Sequence, residues 1–135
     1  ICTTDSNGIK KWLLNEELHR IDGPAVVYPN GSEHRYQNGK RHRIDGPAIE
    51  HANGSKEWFL NGKLHREDGP AVENQNGDKH WILNGLYHRE DGPAIEKTNG
   101  DKAWFLNGIL ISKGESPENW DELVLLAQVE RIMND

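Results

Sequence analysis

The sequence predicts an all-β repeat array, an elongated single-layer antiparallel sheet of stacked 23-residue β-hairpin units with a C-terminal capping α-helix. Three observations predict it. Asn-Gly pairs recur every 23 residues, apolar side chains fall into columns with the same period, and the spacing becomes helical near the C-terminus. A fixed period of this length is typical of architectures in which each unit packs on its neighbours. We therefore expect a five-unit array over residues 1–115 and an amphipathic capping helix over residues 116–135.

Two series of turns set the period. The first series is Asn7-Gly8, Asn30-Gly31, Asn53-Gly54, Asn76-Gly77 and Asn99-Gly100, and the second is Asn15-Glu16, Asn38-Gly39, Asn61-Gly62, Asn84-Gly85 and Asn107-Gly108. An Asn-Gly pair predicts a tight hairpin in which both central residues take positive φ. Each unit would then contain a six-residue strand such as Ser55–Leu60 and a return strand that bends at Asp68-Gly69-Pro70, because proline cannot donate to a sheet. The array would have about ten strands.

Columns of apolar side chains predict the core. Trp12, Trp58, Trp81 and Trp104 share one column, and the leucines two positions later lie on the same face. The opposite face carries Leu13, Tyr36, Phe59, Ile82 and Phe105. Stacked columns let each unit bury its apolar side chains on its neighbours. We therefore interpret the tryptophan column as structural core rather than as a ligand-binding stripe.

The last twenty residues predict a helix. Ser116-Pro117-Glu118 is typical of a helix start, with Ser as the N-cap, Pro at the first helical position and an acid in the first turn. Apolar residues then follow at helical spacing, so the helix is predicted from Pro117 to about Met133. It would cap the last unit and cover the open sheet edge. The alternative is a helix that serves docking or dimerisation.

A His-x-x-Asp pattern is repeated in four units, at His19, His42, His65 and His88. Equivalent positions would lie two strands apart, roughly 9–10 Å, whereas zinc ligands must lie about 2 Å from one ion. In the third unit Arg66 and Asp68 share one face, while His65 and Glu67 share the other. We interpret His65, Asp68 and their equivalents His88 and Asp91 as a structural brace around each bend. No catalytic residue, metal site or cofactor is predicted.

The second unit departs from the columns. Arg35 replaces the tryptophan, Gln37 replaces the leucine two positions later, and Arg41 replaces the leucine of the return strand. With Lys40 and Arg43 these residues form a basic, polar patch. Losing burial of a large apolar side chain costs about 1.5–3 kcal/mol, which is tolerated at an exposed position or where a partner binds. The five residues are our candidate partner-binding site, and sequence drift at an exposed position is the alternative.

Composition narrows the functional classes. The net charge is −6, from 16 Lys and Arg against 22 Asp and Glu, which argues against nucleic acids and anionic membranes as partners. No apolar run reaches the ~18 residues of a membrane helix, and no signal peptide is recognised. Cys2 is the single cysteine and fits a reducing compartment. We expect a cytoplasmic protein, located in the host cytoplasm if it is viral.

The repeat unit resembles a known family. Its segment Trp58-Phe59-Leu60-Asn61-Gly62-Lys63-Leu64-His65, followed by Asn76-Gly77-Asp78, resembles the MORN repeat, in particular the MORN-variant type of bacterial antitoxin-like and phage proteins. The resemblance covers about residues 5–110. The His-Arg pair and the Asp-Gly-Pro-Ala bend depart from the usual family pattern. The resemblance implies stacked antiparallel hairpins that act as scaffolds and interaction surfaces rather than as enzymes.

Two functional hypotheses remain. In the first, the array is a non-enzymatic scaffold that binds another protein, for example as an antitoxin, an immunity protein or a phage inhibitor of a host system. In the second, it is a structural or membrane-surface scaffold that dimerises and organises other proteins. The sequence predicts a protein partner without identifying it, and a homodimer stays open.

Overall fold

A computed structural model describes residues 1–134 as a β-hairpin array that ends in one helix. The strands are β1 (Cys2–Thr4), β2 (Lys10–Leu14), β3 (Glu17–Leu18), β4 (Val26–Val27), β5 (Glu33–His34), β6 (Tyr36–Gln37), β7 (Lys40–Arg41), β8 (Ile49–Glu50), β9 (Lys56–Glu57), β10 (Phe59–Leu60), β11 (Lys63–Leu64), β12 (Val72–Glu73), β13 (Lys79–His80), β14 (Ile82–Leu83), β15 (Leu86–Tyr87), β16 (Ile95–Glu96), β17 (Lys102–Leu106) and β18 (Ile109–Lys113). The helix is α1 (Trp120–Asn134). Within these described residues, no helix has both the length and the apolar character needed to cross a bilayer.

One long antiparallel sheet runs through the array. In the described part of the chain it contains twelve strands in the order β1-β2-β4-β5-β8-β9-β12-β13-β16-β17-β18, with β3 paired to β2. Each unit adds to the sheet in the same way. In the third unit, β12 lies between β9 of its own unit and β13 of the next. The predicted all-β array of stacked units is confirmed.

A second row of short hairpins accompanies the sheet. It consists of β6-β7, β10-β11 and β14-β15, and each pair is closed by an Asn-Gly turn. Backbone hydrogen bonds join one hairpin to the next, as where the Gly85 N–H donates to the Leu64 carbonyl at 2.8 Å. Phe59 and Leu64 of one hairpin pack against Ala48 and Ile49 of the sheet. The core is therefore a shallow layer between the hairpin row and the sheet.

The predicted number of about ten strands is wrong because the strands are divided. The segment 55–60 forms β9 and β10, which are separated at Trp58. The Trp58 N–H donates to the Ala71 carbonyl at 2.8 Å, and the Trp58 carbonyl accepts from the His65 N–H at 3.0 Å. The strand therefore changes its pairing partner at this residue. The chain between residues 65 and 71 leaves the ladder as the Asp-Gly-Pro bend.

The two series of turns have different geometries. In the second series, which we call the inner turns, both central residues have positive φ, as predicted, with 50° at Asn61 and 86° at Gly62. In the first series, the outer turns, only the glycine has positive φ, as at Gly54 with φ 95°, so the prediction of two positive φ values is wrong there. The His51 N–H donates to the Ser55 carbonyl at 2.9 Å. This bond closes a three-residue loop, which needs positive φ only at its last position.

Helix α1 begins three residues later than predicted. The Trp120 N–H donates to the Pro117 carbonyl at 3.3 Å and closes a turn before the helix. The Leu123 N–H donates to the Asn119 carbonyl at 3.1 Å, and this is the first bond with helical spacing. Asn119 therefore takes the N-cap position predicted for Ser116, because the N-cap carbonyl accepts the first intrahelical bond.

Helix α1 is present as predicted, and it packs on the last two units of the array. The Trp120 indole N–H donates to the Glu90 carbonyl at 2.7 Å, and the Gln128 amide donates to the Glu90 carboxylate at 2.7 Å. The Asn107 amide donates to the carbonyl of Ala127, which is buried. The other side of the helix exposes the apolar residues Leu125, Leu126, Val129, Ile132 and Met133.

Candidate functional site

Each Asp-Gly-Pro bend is held by the arginine that precedes it. In the third unit, Arg66 Nε donates to the Asp68 carboxylate at 3.0 Å and Nη1 donates to the Pro70 carbonyl at 3.1 Å. The guanidinium carbon lies 3.9 Å from the centre of the Trp58 ring. On its other side is Gly69, where an added Cβ would lie 2.8 Å from that carbon. The guanidinium thus closes the bend between an aromatic ring and a glycine.

The same arrangement recurs in the first and fourth units. Arg89 bonds to Asp91 at 2.8 Å and stacks on Trp81 at 3.7 Å. Arg20 stacks on Trp12 at 4.1 Å. The structure thus contains the brace that the sequence placed at Asp68 and Asp91. The stacking of the bend arginines on the tryptophans was not predicted, and it joins the two strands of a unit.

The repeated histidines accept backbone hydrogen bonds from the following unit. The Asn84 N–H donates to His65 Nδ1 and the Asn107 N–H donates to His88 Nδ1, both at 2.9 Å. An accepting ring nitrogen carries no proton, so the ring proton of His65 lies on Nε2, which faces Glu67. The Nε2 atom of His88 lies 3.3 Å from Arg131 Nη1 and 3.7 Å from the Glu90 carboxylate. The pKa of His88 is lowered, and the main cause is its burial. The Nδ1 atoms are therefore used to join units.

Successive bends enclose open grooves on one face of the array. Groove 1 lies between residues 20–23 and 42–45, groove 2 between residues 43–47 and 65–68, and groove 3 between residues 66–70 and 88–91. Their volumes are about 450, 700 and 640 Å³. Half-buried Trp58 and Leu60 lie in groove 2, and the equivalent Trp81 and Leu83 lie in groove 3. Of the tryptophan column that was predicted to be core, only Trp104 is buried, while Trp58 and Trp81 line open grooves and stack on the bend arginines.

Groove 1 has a polar floor, and on its walls two isoleucines stand beside the carboxylates of Asp22 and Asp45, which pair with the bend arginines. Arg35 and Gln37 replace the tryptophan and leucine that line the other grooves. Ile21 and Ile44 stand on the walls and are 78% and 84% exposed. Among the described residues, no hydrogen bond or ion pair involves the Arg35 guanidinium, in contrast to the paired arginines of the four bends. Groove 1 thus offers, between two exposed isoleucines, a guanidinium that makes no hydrogen bond in the described structure and whose charge reaches the Asp45 carboxylate.

Arg43 belongs to the brace of the second bend. Its Nε donates to Asp45 at 3.0 Å, its Nη1 donates to the Pro47 carbonyl at 3.1 Å, and Glu50 lies 3.6 Å away. The hydrogen bond from Arg43 is the main cause that lowers the pKa of Asp45, and the charge of Arg35 adds to it. The Arg43 guanidinium is therefore committed to its own unit.

Arg41 lies on the opposite face from Arg35. It pairs with Tyr36 across the hairpin, and its guanidinium carbon lies 5.9 Å from the Tyr36 ring and 5.5 Å from the Phe59 ring. Its Nε is buried without a hydrogen-bond partner in the described structure. Exposed Lys40 pairs with Gln37 and shares its face. The predicted basic patch is therefore divided, and Arg41 stands apart from the other four residues.

A cluster of rings on that opposite face was not predicted. The rings of Tyr28 and His34 lie 5.0 Å apart, and His51 Nε2 lies 2.6 Å from the Glu57 carboxylate. The pKa of His34 is lowered, mainly by burial and further by the charge of Arg41.

Within residues 1–134, no group of three or more His, Cys, Asp or Glu could hold a metal ion.

Two wall residues of groove 1 were also missed by sequence reasoning. Ile21 and Ile44 occupy the position that holds Glu67 and Glu90 in the later units. The apolar residue between Arg and Asp in an exposed bend was the sequence signal that could have identified them.

The chain matches no protein-family model, and no curated protein matches it significantly. The resemblance to the MORN repeat stays a prediction.

Proposed function

We propose that this chain is a non-enzymatic repeat scaffold that binds another protein through groove 1. The observation that carries the proposal is Arg35, whose guanidinium is unpaired in the described structure at an open groove walled by Ile21 and Ile44. A guanidinium presents a planar set of donors that fits a carboxylate with two parallel bonds. The exposed isoleucines supply apolar contact. The partner segment would carry a carboxylate beside apolar side chains.

The other units support this assignment by contrast. Trp58 and Trp81 occupy the position of Arg35, and each stacks on the arginine of its own bend. The second unit gives up such a stack, which is worth about 0.5–2 kcal/mol. Arg43 still closes its bend through Asp45 and Pro47. The array keeps its fold at this unit while one donor group is left available.

The repeated polar residues support a non-enzymatic role. The four histidines accept backbone N–H groups at Nδ1 from the asparagines Asn38, Asn61, Asn84 and Asn107. The four bend aspartates accept from arginines. A catalytic centre would be singular, whereas these arrangements occur four times. From the sequence resemblance we add that the scaffold is of the MORN type and acts as an antitoxin, an immunity protein or a phage inhibitor.

Site-specific photo-crosslinking in the native cell tests this proposal. A benzoyl-phenylalanine at position 37 would lie in groove 1, and the matched control at position 83 would lie at the equivalent place in groove 3. We expect one protein to be crosslinked from position 37 and not from position 83. Equal crosslinking from both positions, or crosslinking from position 83 alone, would contradict the assignment of groove 1.

The dimerising scaffold is a second candidate because α1 exposes an apolar stripe. Leu125, Val129 and Ile132 follow helical spacing and are all exposed. Sedimentation equilibrium of the intact protein tests this alternative against the variant Val129→Glu. A dimer that Val129→Glu converts to a monomer would support it, and a monomeric intact protein would contradict it.

A further inference from the structure

One row of side chains crosses the whole sheet on the face that carries the grooves. Its members stand directly opposite one another on neighbouring strands, in the order 10, 27, 33, 50, 56, 73, 79, 96 and 102. Arg66 identifies the face, because its Nη1 donates to Glu73 of the row at 3.4 Å while its guanidinium stacks on Trp58 of groove 2. The row and the groove floors therefore lie on the same face.

The second unit breaks the charge pattern of this row. Beyond that unit, lysines and glutamates alternate, as Lys56, Glu73, Lys79, Glu96 and Lys102. Glu33 instead stands between Val27 and Glu50. Arg43 contacts Glu50 at 3.6 Å, whereas in the described structure no ion pair or hydrogen bond involves the half-buried carboxylate of Glu33. Glu33 thus faces a like charge, which is unfavourable between opposed strand residues, and has no compensating partner.

Glu33, Arg35 and Gln37 follow one another along the floor of the second unit. Alternate residues of an extended chain point to the same face and lie roughly 6.5–7 Å apart. Arg35 and Gln37 line groove 1, so Glu33 continues the axis of this groove toward the outer turn. The carboxylate of Glu33 and the guanidinium of Arg35 are therefore two neighbouring charges of opposite sign along one line.

The width of groove 1 fits a single extended chain. Its walls are bends that stand two strands apart, roughly 9–10 Å from centre to centre. A chain placed midway would lie about 4.8 Å from each wall, which is the spacing of neighbouring strands. A helix, with a diameter of about 10 Å, would find no room between the same walls.

We propose that Glu33 is a second contact of groove 1, which selects an extended partner segment with a basic residue two positions from the carboxylate that Arg35 binds. This inference rests on the proposed protein-binding function and specifies the charge pattern of the partner segment. Alternate side chains of an extended segment have the same spacing as Glu33 and Arg35, so both pairs of opposite charges would form together. Two such pairs also fix the register of the segment in the groove.

The other grooves would reject the same segment. Lys56 and Lys79 occupy the position of Glu33, and Trp58 and Trp81 occupy the position of Arg35. The basic residue of the partner would there meet a lysine, and its carboxylate would meet an aromatic ring. Opposed like charges disfavour the wrong pairing. The charge pattern thus provides a way to select groove 1 in an array of similar units.

Selection from a phage-displayed library of random linear peptides tests this charge pattern. The intact natural protein and its intact variants are the immobilised targets. On the natural protein we expect enrichment of an acidic residue with a basic residue two positions away. Glu33→Lys should remove the basic residue from the selected peptides and keep the acidic one, because only the contact at position 33 changes sign. Arg35→Ala should remove the acidic residue.

Two measurements control for the fold. Glu33→Lys restores the opposite charge across from Glu50, so it should keep or raise the urea midpoint of unfolding. Lys79→Glu is the matched control, because it creates like-charge contacts with Glu73 and Glu96 in the fourth unit. It should lower the midpoint and still select the same peptides as the natural protein. Glu33→Gln removes the charge alone and should lose the basic residue as Glu33→Lys does.

Charge reversal in an enriched peptide gives a quantitative readout. We expect Glu33→Lys to weaken binding of this peptide at least about tenfold, measured by fluorescence anisotropy. Exchange of the peptide's basic residue for glutamate should restore binding to Glu33→Lys, as a direct pair requires.

Three results would overturn the inference. They are selected peptides without the basic residue, a basic residue that persists on Glu33→Lys, and a reversed peptide that does not rescue binding. Acidic peptides that depend on Arg35 alone would overturn the role of Glu33 and leave the proposed function intact. A library that yields no peptide dependent on Arg35 would also overturn the role of Glu33, while photo-crosslinking at position 37 would still decide the proposed function.

Discussion

Replacing Arg66 with alanine should destabilise the array strongly. The Nη1 bond to the Pro70 carbonyl, at 3.1 Å, is a hydrogen bond from a charged group and is worth about 1.5–3 kcal/mol. The stack on Trp58, at 3.9 Å, adds about 0.5–2 kcal/mol. The pair with Asp68 adds at most about 1 kcal/mol, because that carboxylate is 88% exposed. Since these contributions overlap, we expect the free energy of unfolding to fall by about 2–4 kcal/mol.

A second substitution tests the geometry behind this loss. An alanine Cβ at Gly69 would lie 2.8 Å from the Arg66 guanidinium carbon, so the guanidinium would have to leave its present place against the Trp58 ring. Gly69→Ala should therefore cost about 1–3 kcal/mol in the natural sequence. In the Arg66→Ala background the obstructing group is absent, so the same change should cost less than about 0.5 kcal/mol.

Urea unfolding followed by tryptophan fluorescence and far-ultraviolet circular dichroism measures both effects. Coincident transitions from the two probes are required, because repeat arrays can unfold in parts. Arg35→Ala is the matched control, since the Arg35 guanidinium makes no hydrogen bond in the described structure, and it should cost less than about 0.5 kcal/mol. The reasoning is refuted if Arg66→Ala costs no more than Arg35→Ala, or if Gly69→Ala costs the same in both backgrounds.

Three further predictions concern stability. Burial lowers the pKa of His88 in the folded state, so the unfolded state binds a proton first. The free energy of unfolding should therefore fall as the pH drops below the ordinary histidine pKa, and a flat pH profile between 5 and 8, or one that His88→Gln leaves unchanged, would contradict this. Glu16 has φ 68° in a turn where the other units have glycine, so Glu16→Gly should raise the free energy of unfolding by about 1 kcal/mol, and a loss in urea unfolding would contradict this. Asp68→Ala and Asp91→Ala should each lower the melting temperature, because both accept from bend arginines. If either substitution abolished partner binding without changing the melting temperature, that aspartate would contact the partner directly and the structural role would be wrong.

Much of the fold could be predicted because it depends on local signals. The inner Asn-Gly turns fix two-residue hairpins, and Asn61 and Gly62 have the expected positive φ values. That register also places Arg41 opposite Tyr36, so its separation from Arg35 was available in the sequence through the pairing of 36 with 41. The start of α1 was misplaced because Pro117 fits both a first helical position and a turn before the helix.

The contacts between units could not be predicted in the same way. The bond from the Asn84 N–H to His65 Nδ1 joins residues 19 positions apart, and no local pattern specifies it. The stack of Arg66 on Trp58 depends on how far the bend leaves the sheet, which the Asp-Gly-Pro sequence does not state. The groove in which Arg35 lies exists only because two such bends stand side by side.

Calorimetric titration tests most directly whether groove 1 is the binding site. The partner that crosslinking at position 37 identifies is titrated, without a crosslink, into the natural protein and into its variants. The variant Arg35→Trp with Gln37→Leu restores the residues of the other grooves, and Arg41→Leu restores the leucine of the opposite face. We predict that the double variant keeps or raises the free energy of unfolding and weakens binding at least about tenfold, with a smaller dependence on salt, while Arg41→Leu binds as the natural sequence does. Unchanged affinity in the folded double variant, or a loss confined to Arg41→Leu, would contradict the assignment of the partner to groove 1.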